Sequence, residues 1–238
     1  MANRKNSVKK ENNGSSSKFI FWVIGLIAVG VLALILFGNL SDKQEQESDQ
    51  EASEIDYSSQ PFLGDKSAPV SILEFGDYKC PACKSLAETA IPVIQKELVD
   101  TGKAKLYFMN DSFINVDSER SAKFAESVFH ELGNETFWKF HELLYEKQPE
   151  DTKYEKMDYF TEQFLTDTLK EVASDEEVDK VVKHFNAEKS TDAWKKDMDL
   201  AKELNVTGTP TLFVNGEKFT GQTIDDLKEM VESAAKEK

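Results

Sequence analysis

A short apolar strand that runs into a cysteine pair is the feature that most constrains the fold of this chain. Residues 70–75 read VSILEF, a pattern typical of a buried β-strand. The sequence CPAC follows at 80–83, and Pro81 suits a first helical turn because its missing N–H needs no partner there. An apolar face extends this helix to residue 98, and a second strand is predicted at 105–109. This order predicts a parallel strand–helix–strand unit with a right-handed crossover.

Helical periodicity dominates the middle of the chain, and strand periodicity returns near its end. Residues 113–204 carry several amphipathic stripes with cap signals between them. Residues 211–214 form an apolar strand, Asn215-Gly216 is a strong hairpin signal, and Thr223 can cap a final helix. The chain is therefore predicted to be an α/β protein whose helical middle separates two strand-bearing segments.

The first 40 residues have the pattern of a membrane anchor. Residues 1–18 are basic, and residues 19–40 contain no charged side chain. As a helix that run would be about 33 Å long, enough for a bilayer core of about 30 Å. A cleavable signal, the alternative, usually has a shorter apolar region of about 7–15 residues. We predict an uncleaved transmembrane helix, with a cytoplasmic N-terminal tail and the rest of the chain outside.

Acidic residues dominate the segment between the predicted anchor and the first strand. Residues 41–60 hold seven acids and one lysine, which is typical of a solvated linker. The whole chain has a formal net charge of −15, which repels nucleic acid and anionic headgroups. We therefore expect no nucleic-acid partner, and membrane association only through the N-terminal anchor.

Cys80 and Cys83 are the only cysteines in the sequence, and three roles can be weighed for them. A zinc site needs about four ligands. The three histidines lie far from the pair and show no ligand-like pairing, namely His130, His141 and His184. A structural crosslink is a weak explanation because so short a loop constrains the unfolded chain little. Redox chemistry fits best.

Position predicts different properties for the two sulfurs. Cys80 at a helix N-terminus faces unpaired N–H groups and the positive end of the dipole, which should lower its thiol pKa. Cys83, one turn into the helix, is shielded and can close a disulfide with little strain. Lowering a thiol pKa from about 8.5 to about 5.5 stabilises the dithiol by about 2 kcal/mol at neutral pH, or about 45 mV.

Thr209-Pro210, at the head of the strand at 211–214, is the second notable feature. Proline cannot donate to a sheet ladder, and an X-Pro bond can be cis at a cost of only about 0.5–1 kcal/mol. A cis bend would leave the Thr209 backbone free to pair with an extended substrate peptide. An ordinary loop proline is the alternative, and the strand–CPAC–helix unit upstream disfavours it.

EFGDYKCPAC at 74–83, followed far downstream by GTPTLFVNG at 208–216, closely resembles the thioredoxin superfamily and, within it, the DsbA-like thiol-disulfide oxidoreductases. The predicted anchor and the sequence EFGDYKCP are most similar to the membrane-anchored BdbD type of Gram-positive bacteria. The resemblance implies a thioredoxin-fold core and a helical insertion. The core would comprise residues 61–112 and 206–238, and the insertion residues 113–205.

The same resemblance implies roles for individual residues. Cys80 would carry the mixed disulfide, Cys83 would resolve it, and Pro210 would be cis beside them. The family places an acidic proton acceptor at the position of Glu74, whose pKa should rise if it is buried. A partly exposed glutamate at a strand end is an equally good interpretation.

Two further points concern the redox potential and a metal. Strong DsbA oxidants often carry histidine between the cysteines, whereas this chain has Ala82, so a milder potential is expected. The redox chemistry requires no cofactor. BdbD-type relatives can hold a structural calcium ion, and the matching positions here are oxygen donors, as calcium requires: Gln60, Glu126 and Asp197.

The function predicted in this way is an extracytoplasmic oxidase that introduces disulfides into thiol-containing exported proteins. The resemblance implies reoxidation by a DsbB-like, quinone-linked membrane partner. A disulfide reductase or isomerase on the same fold is one alternative, although the extra dimerisation domain usual in such isomerases is not visible. A non-catalytic peptide-binding module with incidental cysteines is another.

Overall fold

A five-stranded mixed sheet lies at the centre of the computed structural model, which describes residues 55–236. Its spatial order is β1-β3-β2-β4-β5, where the strands are β1 (Phe62–Leu63), β2 (Val70–Gly76), β3 (Ala104–Asn110), β4 (Thr211–Val214) and β5 (Glu217–Lys218). Strands β2 and β3 pair in parallel, and the other three pairings are antiparallel. The parallel pairing predicted for the first strand–helix–strand unit is confirmed.

Helices cover the sheet and fill the middle of the chain. Helix α1 follows β2 in four consecutive segments, of which the second and fourth are π-helical: Pro81–Ser85, Leu86–Ala90, Ile91–Ile94 and Gln95–Val99. Pro92 removes one N–H donor from this ladder, which accounts for a departure from regular α-helix around it. The remaining α-helices are α2 (Val116–Glu146), α3 (Glu162–Leu169), α4 (Asp175–Asn186), α5 (Thr191–Glu203) and α6 (Ile224–Ala234).

Strand β2 is buried on both faces, which explains its nearly continuous apolar sequence. Val70 and Ile72 pack into the larger core, whereas Leu73 and Phe75 pack into a second core on the opposite face. Burying side chains of this size contributes about 1.5–3 kcal/mol each. Neighbours on both edges and cores on both faces therefore fix the strand that leads to the cysteines.

The turn and cap signals near the C-terminus are confirmed. Asn215 and Gly216 form the β4–β5 turn with φ of 48° and 89°, a conformation that this residue pair tolerates well. Thr223 Oγ1 accepts a hydrogen bond from the backbone N–H of Asp226 at the start of α6. Helix α6 buries Leu227 and Val231.

Helix α2 is interrupted at Gly133, whose φ of 79° and ψ of −173° lie outside helical space. The adjacent Asn134 side chain accepts from the Phe62 N–H at 2.8 Å and donates to the Phe62 carbonyl. The Asn134 side chain thus satisfies both the N–H and the carbonyl of Phe62 in the edge strand β1. These hydrogen bonds of Asn134, beside the interruption in α2, connect the helical middle of the chain to β1.

A buried ion pair attaches the same helix to the loop before the cysteines. Lys79 Nζ lies 2.9 Å from Asp117 Oδ2, and both side chains are fully buried. Lys79 also donates to the Tyr154 and Met157 carbonyls at 2.7 and 2.6 Å. Removing one partner of such a pair typically costs about 3–5 kcal/mol because the other charge stays buried. Lys79 therefore fixes the cysteine loop against α2.

The predicted cytoplasmic tail at 1–18, the transmembrane helix at 19–40 and most of the linker at 41–60 lie outside the described residues. Between residues 55 and 236, none of the helices combines the length and the apolarity that crossing a bilayer requires.

Candidate active site

The CPAC segment joins β2 to α1 with one sulfur at the helix boundary and one inside. Cys80 is the N-cap residue, with extended backbone angles, and Pro81 occupies the first helical position. Cys80 is 7% exposed and Cys83 is completely buried. Both are free thiols in this structure. A partner sulfur can therefore approach Cys80, whereas the protein encloses Cys83.

Two buried polar side chains hold the loop that presents Cys80. Asp77 accepts from the Lys79 N–H through its side chain and from the Cys80 N–H through its carbonyl, at 2.8 and 2.9 Å. The Gln148 amide donates to the Tyr78 and Cys80 carbonyls at 2.6 and 3.2 Å. Sequence reasoning missed both side chains, and only the position of Asp77 beside the motif could have signalled a role.

Thr209-Pro210 lies beside the cysteines, and its peptide bond is cis, as predicted. The Cys80 thiol donates to the Thr209 carbonyl at 3.2 Å. Residues more than a hundred positions apart in the sequence are brought together because β4 pairs with β2. The substrate-facing backbone predicted at Thr209 therefore adjoins the more exposed sulfur.

The site shifts the pKa values of the two thiols in opposite directions. A hydrogen bond from Cys83, aided by the backbone N–H groups of Cys83 and Ala82, lowers the pKa of Cys80 to about 6 against the opposing effect of burial. Burial raises the pKa of Cys83 far above its usual range. The direction for Cys80 agrees with the sequence prediction, but the leading cause is the second sulfur and not the helix terminus.

Glu74 is buried, which decides between its two interpretations. It lies in the middle of the sheet, opposite Phe108 of β3 and Leu212 of β4, and is 2% exposed. Burial, followed by the charge on Cys80, raises its pKa from 4.5 to about 8. The carboxyl group is therefore mainly protonated at neutral pH. The exposed strand-end interpretation is wrong because β2 is a central strand and residues of α1 and α2 pack over the face that carries Glu74.

A cavity of about 330 Å³ adjoins Glu74 and is lined in part by Trp138, His141 and Tyr145. Glu74 Oε1 and the Tyr145 hydroxyl are buried and have no hydrogen-bond partner among residues 55–236. His141 packs inside, 3.0 Å from the Tyr78 hydroxyl, and burial lowers its pKa to about 3. A cavity with two unpaired polar groups could admit water that exchanges a proton with Glu74.

A second polar cluster brings together the three predicted calcium ligands. Gln60 Nε2 donates to Asp197 Oδ1 at 2.8 Å, and Asn110 Nδ2 bridges Glu126 Oε1 and Asp197 Oδ2 at 2.8 and 3.0 Å. All four side chains are buried. Sequence reasoning missed Asn110, whose place directly after the predicted strand KLYFM was the available signal.

The chemistry of this cluster fits an oxygen-binding cation. Burial and the charge of Asp197 raise the pKa of Glu126 well above its usual value, and burial raises that of Asp197 to about 6. Within the described chain, Gln60 Oε1 and Asn110 Oδ1 are buried acceptors without a partner. Two carboxyl groups and two amide oxygens are a ligand set that Ca²⁺ prefers.

The histidines are arranged differently from the sequence prediction. His130 and His184 stack with ring centroids 4.4 Å apart, and Glu131 lies beside both. The expectation that the three histidines show no ligand-like pairing is therefore wrong for these two. Packing of α4 against α2 creates the contact, which sequence spacing does not reveal.

Large apolar side chains are exposed near the cysteine loop. The three identified among residues 55–236 are Phe113, Val116 and Met157, each more than half exposed. The Phe113 N–H donates to Asp77, and the Met157 carbonyl accepts from Lys79. Phe113 and Met157 are thus attached to residues within three positions of Cys80.

Comparisons with known proteins agree with this geometry. A thioredoxin family model matches residues 57–233. The probable disulfide bond formation protein D of Bacillus anthracis is 31% identical over 229 residues, which cover 96% of this chain and 100% of that protein. The disulfide bond formation protein D of Bacillus subtilis (strain 168) is 37% identical over 201 residues, covering 83% and 87%.

A solved structure of a related protein has the same fold. The crystal structure of oxidised BdbD from Bacillus subtilis matches with a TM-score of 0.70 and 34% identity, covering 77% of this chain and 96% of that one. The fold implied by the CPAC and Thr209-Pro210 motifs is therefore confirmed. This chain belongs to the BdbD-type branch of the thioredoxin superfamily and is a protein thiol-disulfide oxidoreductase.

Proposed function

We propose that this protein introduces disulfides into thiol-containing exported proteins, outside the cytoplasmic membrane, through Cys80 and Cys83. The opposite shifts in the two thiol pKa values carry the proposal. A stabilised Cys80 thiolate favours the dithiol form, so the disulfide form becomes a better oxidant. With a Cys80 pKa of about 6, the gain at pH 7 is about 1.4 kcal/mol, or about 30 mV.

The first step is attack of a client thiolate on the Cys80 sulfur of the disulfide. The Cys80–Cys83 bond breaks, a client–Cys80 disulfide forms, and the electron pair leaves on Cys83. Because Cys83 is buried, a thiolate there is costly in free energy, and it takes up a proton. Glu74, with a pKa of about 8, is protonated at neutral pH and is the proposed donor.

The second step releases the product. Another client thiolate attacks the client sulfur of the mixed disulfide, and Cys80 leaves as a thiolate, which its low pKa favours. The client gains one disulfide, and the enzyme keeps the two electrons as the Cys80/Cys83 dithiol. The Thr209 carbonyl accepts from the Cys80 thiol in the dithiol form and is free to pair with a client N–H while Cys80 is held in a disulfide.

Unfolded clients suit the surroundings of this site. The exposed side chains of Phe113, Val116 and Met157 can contact apolar segments that a folded client would bury. The predicted anchor at 19–40 would hold the enzyme at the outer face of the cytoplasmic membrane. A DsbB-like, quinone-linked membrane oxidoreductase is proposed as the acceptor that removes the two electrons and restores the disulfide.

A structural calcium ion is proposed for the second polar cluster. Gln60, Asn110, Glu126 and Asp197 would hold it, and its charge would offset the mutual repulsion of the two buried carboxylates. The redox steps at Cys80 and Cys83 do not involve this ion.

Client oxidation tests the proposed function directly. The oxidised full chain is mixed with a reduced, unfolded disulfide protein, and loss of client thiols is followed. Wild type should transfer one disulfide per enzyme, whereas Cys80→Ser should transfer none because the attacked sulfur is missing. Ser85→Ala, an exposed position on α1, is the matched control and should match wild type. Client oxidation by Cys80→Ser at the wild-type rate would refute the mechanism.

Glu74→Gln should change how stability depends on pH. Because the folded pKa of Glu74 is about 8 and the usual value 4.5, the native state holds a proton that the unfolded state releases. Wild-type stability should therefore fall between these pH values, by up to about 1.4 kcal/mol per unit, relative to Glu74→Gln. Denaturant unfolding of the disulfide form at pH 5 to 8 measures this. Exposed Glu217→Gln is the control, and a Glu74→Gln profile parallel to wild type would contradict the assignment.

Calcium should stabilise the full chain through the second cluster. At about 100 times its Kd, a ligand of the native state contributes about 2.7 kcal/mol. Glu126→Gln and Asp197→Asn should abolish the calcium-dependent rise in the unfolding midpoint. Asp199→Asn, an exposed acid on the same helix as Asp197, should retain it. A Glu126→Gln chain that responds to calcium like wild type would refute this site.

A further inference from the structure

Three potential metal-ligand atoms converge between α2 and α4, in the helical insertion. His130 and Glu131 are neighbours on α2, and His184 comes from α4. One ligand atom from each lies within 4.8 Å of the other two. His130 Nδ1 is 3.1 Å from Glu131 Oε1, and His184 Nε2 is 3.7 Å from the same oxygen.

Hydrogen bonding defines which nitrogen of His184 is free. Ser127 Oγ donates its hydrogen to the Lys123 carbonyl at 3.0 Å. While that hydrogen points to the Lys123 carbonyl, the contact of Ser127 Oγ with His184 Nδ1 at 3.1 Å is satisfied by the tautomer with its proton on Nδ1. In the neutral ring the lone pair is then on Nε2, and Nε2 faces the Glu131 carboxylate. Two electron-rich atoms that face each other need a cation between them, either a proton or a metal ion.

The burial of the three side chains suits a metal ion. The His184 side chain is 3% exposed, that of Glu131 26% and that of His130 69%. The His184 ring is thus held in place by packing and by Ser127, as outer-shell partners hold metal-bound histidines. The exposed His130 ring is free to turn out of its stack with His184.

We propose that His130, Glu131 and His184 form a binding site for a divalent transition-metal ion such as Zn²⁺, with one position left for water. Tetrahedral zinc ligands at about 2.0–2.2 Å lie about 3.3 Å from one another, close to two of the separations observed. Two imidazoles and one carboxylate favour zinc or a related metal over calcium, which prefers oxygen ligands.

The bound ion would crosslink α2 to α4. Lys180 pairs with Glu176 at 3.0 Å and therefore does not neutralise Glu131 by an ion pair. The site shares no residue with the CPAC motif or with the proposed calcium cluster. Its expected effect is therefore on the stability of the helical insertion, and it stands independently of the proposed oxidase function.

Isothermal titration of the untagged full chain with Zn²⁺ tests the proposal. The protein is kept in its disulfide form with calcium present, so that neither the thiols nor the carboxylate cluster compete for the metal. One Zn²⁺ should bind per chain and raise the unfolding midpoint. His130→Ala and Glu131→Gln should each weaken binding more than about tenfold, because even outer-shell changes cost about 10–100-fold. Ser127→Ala should weaken it within that range.

Glu135→Gln, an exposed acid one turn further along α2, is the matched control and should bind Zn²⁺ like wild type. Circular dichroism and client oxidation check that each variant is folded. Co²⁺ bound at the site should show nitrogen and oxygen ligation without a thiolate charge-transfer band. The proposal is overturned if wild type binds no Zn²⁺, or if His130→Ala and Glu131→Gln bind it within twofold of wild type.

Discussion

The effect of Cys83 on the Cys80 thiol is the interaction on which the chemistry of this protein depends. It is the largest of the effects that lower the pKa of Cys80, and, after burial, the same interaction raises the pKa of Cys83. The thiolate is thereby favoured at Cys80, while Cys83 is kept protonated. Pro81 at the first helical position and the side chains of Asp77 and Gln148 hold the loop in which this contact forms.

The sheet and the helical insertion both contribute to that geometry. Strand β4 brings Thr209-Pro210 against Cys80 and makes β2 a central strand, in which Glu74 lies. The insertion contributes Asp117, whose ion pair with Lys79 fixes the other side of the loop. A thioredoxin-type sheet without these helices would leave the Lys79 charge without its buried partner.

Sequence reasoning predicted most of this sheet and the centre of the site, for identifiable reasons. Hydrophobic period and turn residues are local signals, so the strands around Cys80 and the Asn215-Gly216 turn could be predicted. The motifs that carry the family resemblance placed Pro210 in the cis form beside the cysteines. Whether Glu74 was buried depended on the packing of α2 over its face of the sheet, a contact between segments more than sixty residues apart.

Other features depend on tertiary packing that no local pattern encodes. A fully buried lysine is rare, and Lys79 gave no sign in the sequence that Asp117 would neutralise it. Asn110 looked like an ordinary residue at a strand end until Glu126 and Asp197 were placed around it. His130 and His184 met only through the packing of two helices, which is why their pairing was missed.

The reduction potential of the Cys80/Cys83 couple, measured against pH in glutathione buffers, tests the central claim most directly. A thiolate at Cys80 with a pKa of about 6 predicts that the pH slope halves near pH 6, from about 59 to about 30 mV per unit. The value at pH 7 should lie above the about −270 mV of thioredoxin, toward the about −120 mV of DsbA. A potential near −270 mV, with the steeper slope unbroken up to pH 7, would contradict the account and indicate a reductase.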